Sequence, residues 1–158
     1  MTLPLLELAR AKGVCIATAE SCTGGMIAAR ITDSPGTSAI FECAFVTYSY
    51  ESKIRMLGIR QQTLTDHGAV SEEIAREMVE GALARSRATL AVSVTGIAGP
   101  GDAGHKPEGR VCFGLATAEW CRTETVEFGA LGRDRVREAT VDYALSLLFD
   151  ALSAMPDS

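Results

Sequence analysis

Thr18-Ala19-Glu20-Ser21-Cys22-Thr23-Gly24-Gly25 is the stretch from which the fold can be read. Before it, Val14 to Thr18 is a short apolar run of the kind that forms a buried strand. After it, the segment Gly24 to Ile31 carries Met26, Ile27, Ala28, Ala29 and Arg30, all compatible with a helix, and stops at the turn cluster Asp33-Ser34-Pro35-Gly36. A strand that turns directly into a helix belongs to an α/β sheet, and its turn residues lie at the carboxyl edge, where such sheets bind ligands.

Working outward, Leu3, Leu5, Leu6, Leu8 and Ala9 predict a first helix closed by Gly13. Phe45 to Tyr48 reads as a second strand and Glu51 to Leu57 as a short helix ending at Gly58. Ser71 is placed to cap a helix whose first turn holds Glu72 and Glu73 and whose core stripe is Ile74, Met78 and Ala82. Leu90 to Thr95 is a buried strand, followed by a glycine-rich stretch from Gly96 to Gly109. Strands at Arg110 to Thr117 and Thr123 to Phe128 come next, then a long helix with Val141, Ala144, Leu145, Leu148 and Leu152 on one face. The order α-β-α-β-α-α-β-β-β-α predicts a single domain over residues 1–158, a three-layer α/β/α sandwich around a mixed, mostly parallel sheet with an antiparallel edge.

Composition narrows the function classes. The chain has 158 residues, 47% of them apolar, with a formal net charge of -5. That balance gives no electrostatic reason to expect nucleic acid or an anionic membrane as partner. No apolar run approaches the roughly 20 residues of a membrane span, and the N-terminal residues lack the pattern of a signal peptide. The five cysteines, odd in number and nowhere spaced CxxC, together with only two histidines argue against a zinc site and suit free thiols in a cytoplasmic protein.

The helix start after Ser21 offers unpaired N–H groups and a partial positive charge, and Gly24 and Gly25 permit close backbone approach. Ser21 and Thr23 add hydroxyls. An oxyanion hole for acyl transfer and a cradle for phosphate both fit, as does a simple cap made by Ser21 or Thr23. Cys22 suits a buried structural thiol. In the second loop, Gly99-Pro100-Gly101-Asp102-Ala103-Gly104 matches GxGxxG but leads into strand-like sequence, so a dinucleotide fingerprint is rejected. A P-loop fails because Lys106 is displaced by one residue and no Ser or Thr follows it. A ligand-facing loop remains, with Thr95 and the backbone from Gly96 to Gly99 as donors. A nucleophilic serine needs a base, and His67 and His105 lie in turn-like polar surroundings. Tyr48 at a strand end and Lys53 one turn into the next helix could converge on the same edge, although an exposed surface lysine is the ordinary expectation for Lys53.

AESCTGG, FVTYSYESK, HGAVSEE and TGIAGP-x5-KP-x-G, taken together and in this order, resemble the CinA C-terminal-domain family of nicotinamide-nucleotide amidases from about Leu6 to Leu152. The resemblance implies hydrolysis of nicotinamide mononucleotide to nicotinate mononucleotide and ammonia, with no metal or cofactor, by a homo-oligomer of at least two subunits. It implies Ser21 as nucleophile, Lys53 as the proton acceptor and Tyr48 as the group that assists proton transfer or holds the lysine. Thr23, Gly24, Gly25, Thr95, Gly96, Ala98 and Gly99 would surround the nucleotide, and Arg133 would suit its phosphate. The chain departs from the family pattern in three places. Tyr50 replaces an Asn, Lys106-Pro107-Glu108-Gly109-Arg110-Val111 replaces K-P-V-G-T-V, and Gly132 stands where the acid of a G-D-R motif belongs. These departures keep open a nucleotide-binding regulatory module without turnover, or a Ser–Lys amidase for another phosphorylated amide.

Overall fold

A computed structural model describes residues 2–157. Five strands form one sheet: β1 (Ile16–Glu20), β2 (Phe41–Val46), β3 (Leu90–Gly96), β4 (Arg110–Ala116) and β5 (Cys121–Glu127), in the spatial order β2-β1-β3-β4-β5. β2 and β3 pair parallel with β1, β4 runs against β3 and β5 against β4, so β4 alone opposes the other four. The helices are α1 (Thr2–Lys12), α2 (Met26–Thr32), α3 (Tyr50–Leu57), α4 (Gln61–His67), α5 (Glu72–Ala84) and α6 (Arg133–Ala154). The expected sandwich, with its parallel early strands and antiparallel late edge, is the one formed.

Strand alternation sorts the core into two unlike layers. Ile16 of β1 and Leu90, Val92 and Val94 of β3 join Val111, Phe113 and Leu115 against α1, α2 and α6. Ala17, Ala19, Ala91 and Ala116 face α5 through Ile74, Met78, Val79 and Ala82. Small residues on that second face let α5 lie almost on the sheet. Ser93 donates to the Ala75 carbonyl at 2.6 Å, and a Cβ on Gly114 would stand 2.6 Å from the same oxygen. The central strands β1 and β3 are buried nearly throughout, whereas β2 and β5 at the edges alternate between half-buried and exposed residues.

Several boundaries differ from the sequence reading. β1 ends at Glu20 rather than Thr18, because Thr18, Ala19 and Glu20 all pair with β2 and β3. β2 occupies Phe41–Val46 rather than Phe45 to Tyr48, which leaves Tyr48 in the link to α3. α2 starts at Met26, after Gly25 in the left-handed region at φ 104°. α4 was not anticipated: it is polar nearly all round, and Glu77 on α5 holds it by accepting from Thr63 at 2.6 Å and from the Arg60 N–H at 2.9 Å. His67 therefore ends a helix rather than lying in a turn. The expected caps at Gly13, Gly58 and Ser71 are present. Among the described residues no helix is long and apolar enough to cross a membrane.

Candidate active site

β1 and β3 end side by side, and the first residue beyond β1 is Ser21, whose N–H donates to the Val94 carbonyl at 3.1 Å. Glu20 and Ser21 are neighbours whose side chains serve different elements. The Glu20 carboxylate, fully buried, belongs to α2. One oxygen accepts from the Thr23 hydroxyl (2.7 Å) and from the N–H groups of Gly25 (3.2 Å) and Ile27 (3.0 Å). The other accepts from the Thr18 hydroxyl and the Ala28 N–H, both at 3.0 Å. The start of α2 is thus already occupied by an anion of the chain itself. This corrects one sequence expectation, since neither Ser21 nor Thr23 caps α2, and it fills the Gly25, Ile27 and Ala28 donors that a phosphate at the helix start would use. Sequence reasoning overlooked Glu20, although an acid just before a glycine-rich helix start is a recognisable cue.

Ser21 instead meets α3. Ser49 and Ser52 form a reciprocal capping box, with N-to-Oγ distances of 3.0 and 3.1 Å, that starts α3 beside the sheet edge. Lys53 follows in the first turn and points inward, 1% exposed. Its Nζ donates to Ser21 Oγ at 2.9 Å and to the Thr47 carbonyl at 2.7 Å. Burial lowers its pKa from 10.5 to about 8. The solvated surface lysine of ordinary expectation is overturned. Thr47, another residue the sequence reading missed, holds the ammonium through its carbonyl.

A cavity of about 340 Å³ opens beside Ser21 and Lys53. Thr95, Gly96, Ala98 and Gly99 line one wall, and Tyr48 and Arg133 stand at its mouth. Thr95 is itself tied down, its hydroxyl donating to the Ala69 carbonyl at 2.8 Å. Arg133 donates to the Gly99 carbonyl at 2.7 Å and to the Tyr48 hydroxyl at 2.6 Å, which bridges the two walls. Tyr48 is therefore the partner of Arg133 and not of Lys53. Thr23, Gly24 and Gly25 stand behind the cavity rather than on it, and shape the turn. Gly24 takes φ 60° beside the Arg137 guanidinium, which donates to the Cys22 carbonyl at 3.1 Å and the Thr23 carbonyl at 3.4 Å.

Cys22 is buried, and desolvation pushes its thiol up to about 11, so it is a structural thiol. His67 lines a separate, highly charged groove between α4 and α5, and His105 is exposed in the loop after β3. The ionisable side chain in contact with Ser21 is a lysine. Among the described residues no group of three or more histidine, cysteine or acidic side chains is arranged to hold a metal ion.

Comparison with known proteins agrees with this fold. Residues 2–152 match the family described as the CinA C-terminal domain. The chain is 50% identical over 141 residues to the nicotinamide-nucleotide amidohydrolase PncC of Escherichia coli strain K12, covering 89% of this chain and 86% of that protein. It is 49% identical over 150 residues to a CinA-like protein of Chloroherpeton thalassium, covering 90% of this chain and 36% of the relative. The chain therefore spans about a third of the length of the CinA-like proteins it matches. Among solved structures, the competence/damage inducible protein CihA of Agrobacterium tumefaciens superposes with a TM-score of 0.86 at 43% identity, over 95% of this chain and 96% of that one. The competence damage-inducible protein A of Klebsiella pneumoniae gives 0.90 at 35% identity, over 98% and 96%.

Proposed function

The chain belongs to the CinA C-terminal-domain family, and on that footing we propose that it is a single amidase domain that hydrolyses nicotinamide mononucleotide to nicotinate mononucleotide and ammonia through a Ser–Lys pair. The observation that carries this reading is the 2.9 Å contact between a buried lysine and a half-buried serine at the mouth of a cavity. With a pKa of about 8, Lys53 is neutral in about a tenth of molecules at pH 7. A neutral amine accepts a proton, which is what a serine nucleophile requires.

In the proposed cycle, Ser21 Oγ attacks the carboxamide carbon while its proton passes to Lys53 Nζ. The tetrahedral adduct collapses, the C–N bond breaks, and Lys53 returns the proton to the departing nitrogen as ammonia leaves. Water then gives a proton to Lys53 and attacks the acyl-serine; the C–Oγ bond breaks, Lys53 returns the proton to Ser21 Oγ, and the acid leaves as its carboxylate with its proton going to solvent. The oxyanion needs N–H donors that nothing else uses. In the turn, Ser21, Gly24, Gly25 and Met26 have theirs engaged, which leaves Cys22 and Thr23 on that side and Ala98 and Gly99 across the cavity. Arg133 at the mouth suits the phosphate, at the opposite end of the substrate from the reacting amide. Tyr48 enters as the residue that holds Arg133 over the cavity.

Ammonia release from nicotinamide mononucleotide tests the reading directly. Wild type should turn over, and Ser21→Ala should lose at least about a thousandfold. Release that persists in Ser21→Ala rules out the mechanism. Saturable binding without ammonia would move the protein to the regulatory-module reading.

A further inference from the structure

The outer wall of the cavity is a loop with little core of its own. Residues 100–105 are exposed. On one side Lys106 ties it down by donating to the carbonyls of His67 and Val70. The tie on the other side is Glu108, 9% exposed. Its Oε1 accepts from the Gly101 N–H at 2.6 Å, within the loop, and its Oε2 accepts from the Gly132 N–H at 3.0 Å, at the start of α6. Its own N–H donates to Asp102 Oδ1 at 2.8 Å.

Both ends of this tie reach the cavity. The residue after Gly132 is Arg133, whose guanidinium returns to the Gly99 carbonyl. Gly99, at φ 90°, lies flat against the Glu108 side chain, and a Cβ there would stand 2.5 Å from the carboxyl carbon. Glu108, Gly132, Arg133 and Gly99 thus form a closed circuit. Two separate N–H donors, one on each side of the Glu108 side chain, call for two acceptors on it, and a carboxylate supplies both. A negative charge at the start of α6 is also favoured by the helix dipole.

We propose that Glu108 is a positioning residue that sets Arg133 through Gly132 at the start of α6, and so fixes how tightly the site holds the anionic end of its substrate without touching the reacting carboxamide. The substrate assignment rests on the amidase reading above; the strap does not. An apolar side chain at 108 would hand both N–H groups, which belong to exposed glycines, from one fixed acceptor to mobile water, and a glutamine would satisfy one while turning its amide nitrogen toward the other.

The test compares the wild-type 158-residue chain with Glu108→Ala, Glu108→Gln and Arg133→Ala. Backbone hydrogen exchange provides a readout independent of catalysis. In Glu108→Ala, exchange at Gly101 and Gly132 should rise about tenfold or more while 90–96 in β3 stays unchanged. With nicotinamide mononucleotide, Glu108→Ala should raise KM about tenfold with kcat within about threefold of wild type. Glu108→Gln should fall between the two. Adding Glu108→Ala to Arg133→Ala should raise KM little further, because both act through one guanidinium. Unchanged exchange at Gly101 and Gly132 in both Glu108 variants overturns the strap. A fall in kcat at constant KM overturns its role in holding the anion. Wild type without turnover would refute the amidase reading while the exchange data still decide the strap. Should Glu108→Ala not fold, Glu108→Gln carries the same two measurements.

Discussion

Glu20 and Lys53 are buried charges on either side of Ser21, and the chain serves them unequally. Five donors surround the Glu20 carboxylate, three of them backbone N–H groups at the start of α2. Lys53 carries three protons when charged and has two acceptors, one of which is the serine hydroxyl. A carboxylate so fully solvated by the chain is a structural part, and it fixes the turn. An ammonium left partly unsolvated gives up its proton more easily, and that makes it chemically useful. The difference lies in how many partners each charge has been given.

The largest expected effect follows from removing the well-solvated charge. Glu20→Ala strands five donors, three of them in the backbone, and should cost about 5 kcal/mol or prevent folding. Urea unfolding measures this, and a loss below about 1 kcal/mol would show that the carboxylate is not what holds the turn.

Lys53→Met should act in the opposite sense on stability. The shift from 10.5 to about 8 corresponds to about 3 kcal/mol of burial cost. Replacing the ammonium should abolish turnover by about a thousandfold while stabilising the fold by about 2 kcal/mol at pH 7, after allowing for the lost hydrogen bonds. Below pH 8 folded and unfolded lysine are both charged, and the full cost is present. Between about 8 and 10.5 the folded lysine has lost its proton while the unfolded one retains it, so wild-type stability rises with pH and the advantage of the methionine variant shrinks. A variant less stable than wild type at pH 7 would show that burial of the ammonium carries no such cost.

Catalysis should show the same group from its other side. Since Lys53 must be neutral to accept a proton, kcat/KM should climb about tenfold per pH unit below 8 and level off above it. A profile flat from pH 6 to 9 would remove Lys53 as the base. The smallest effect belongs to the outer face of the turn. Arg137→Ala loses the bonds to the Cys22 and Thr23 carbonyls and should cost about 1 kcal/mol, with Arg137→Lys recovering part of it in thermal melts.

The layers, the parallel pairing and the position of Ser21 were legible in the sequence because strand and helix periods are local signals. β2 was read too late because its first half, Phe41-Glu42-Cys43-Ala44, is an edge strand with an exposed acid rather than a clean apolar run. α4 was missed because Gln61-Gln62-Thr63-Leu64-Thr65-Asp66-His67 has one buried apolar side chain and is held from outside by Glu77. At the site, Ser21 could be singled out from its strand-to-helix turn, whereas Lys53 and Arg133 were reached through the family resemblance. The burial of Lys53 could not be read, since it depends on a contact 32 residues away and on a carbonyl that any residue at 47 would supply. The engagement of Tyr48 with Arg133 spans 85 residues and was equally out of reach.

The two faces of the sheet also differ in how freely the sequence can drift. Against α6, large side chains interlock, and one apolar residue can give way to another of similar volume. Against α5, alanine, serine and glycine bring backbone to within contact of backbone, and a Cβ on Gly114 of β4 would meet the Ala75 carbonyl at 2.6 Å. There is no volume to exchange on that side. Substitution should accumulate on one face of this fold and be purged from the other, so that a lineage of such proteins would keep an almost unvarying floor beneath a changing roof.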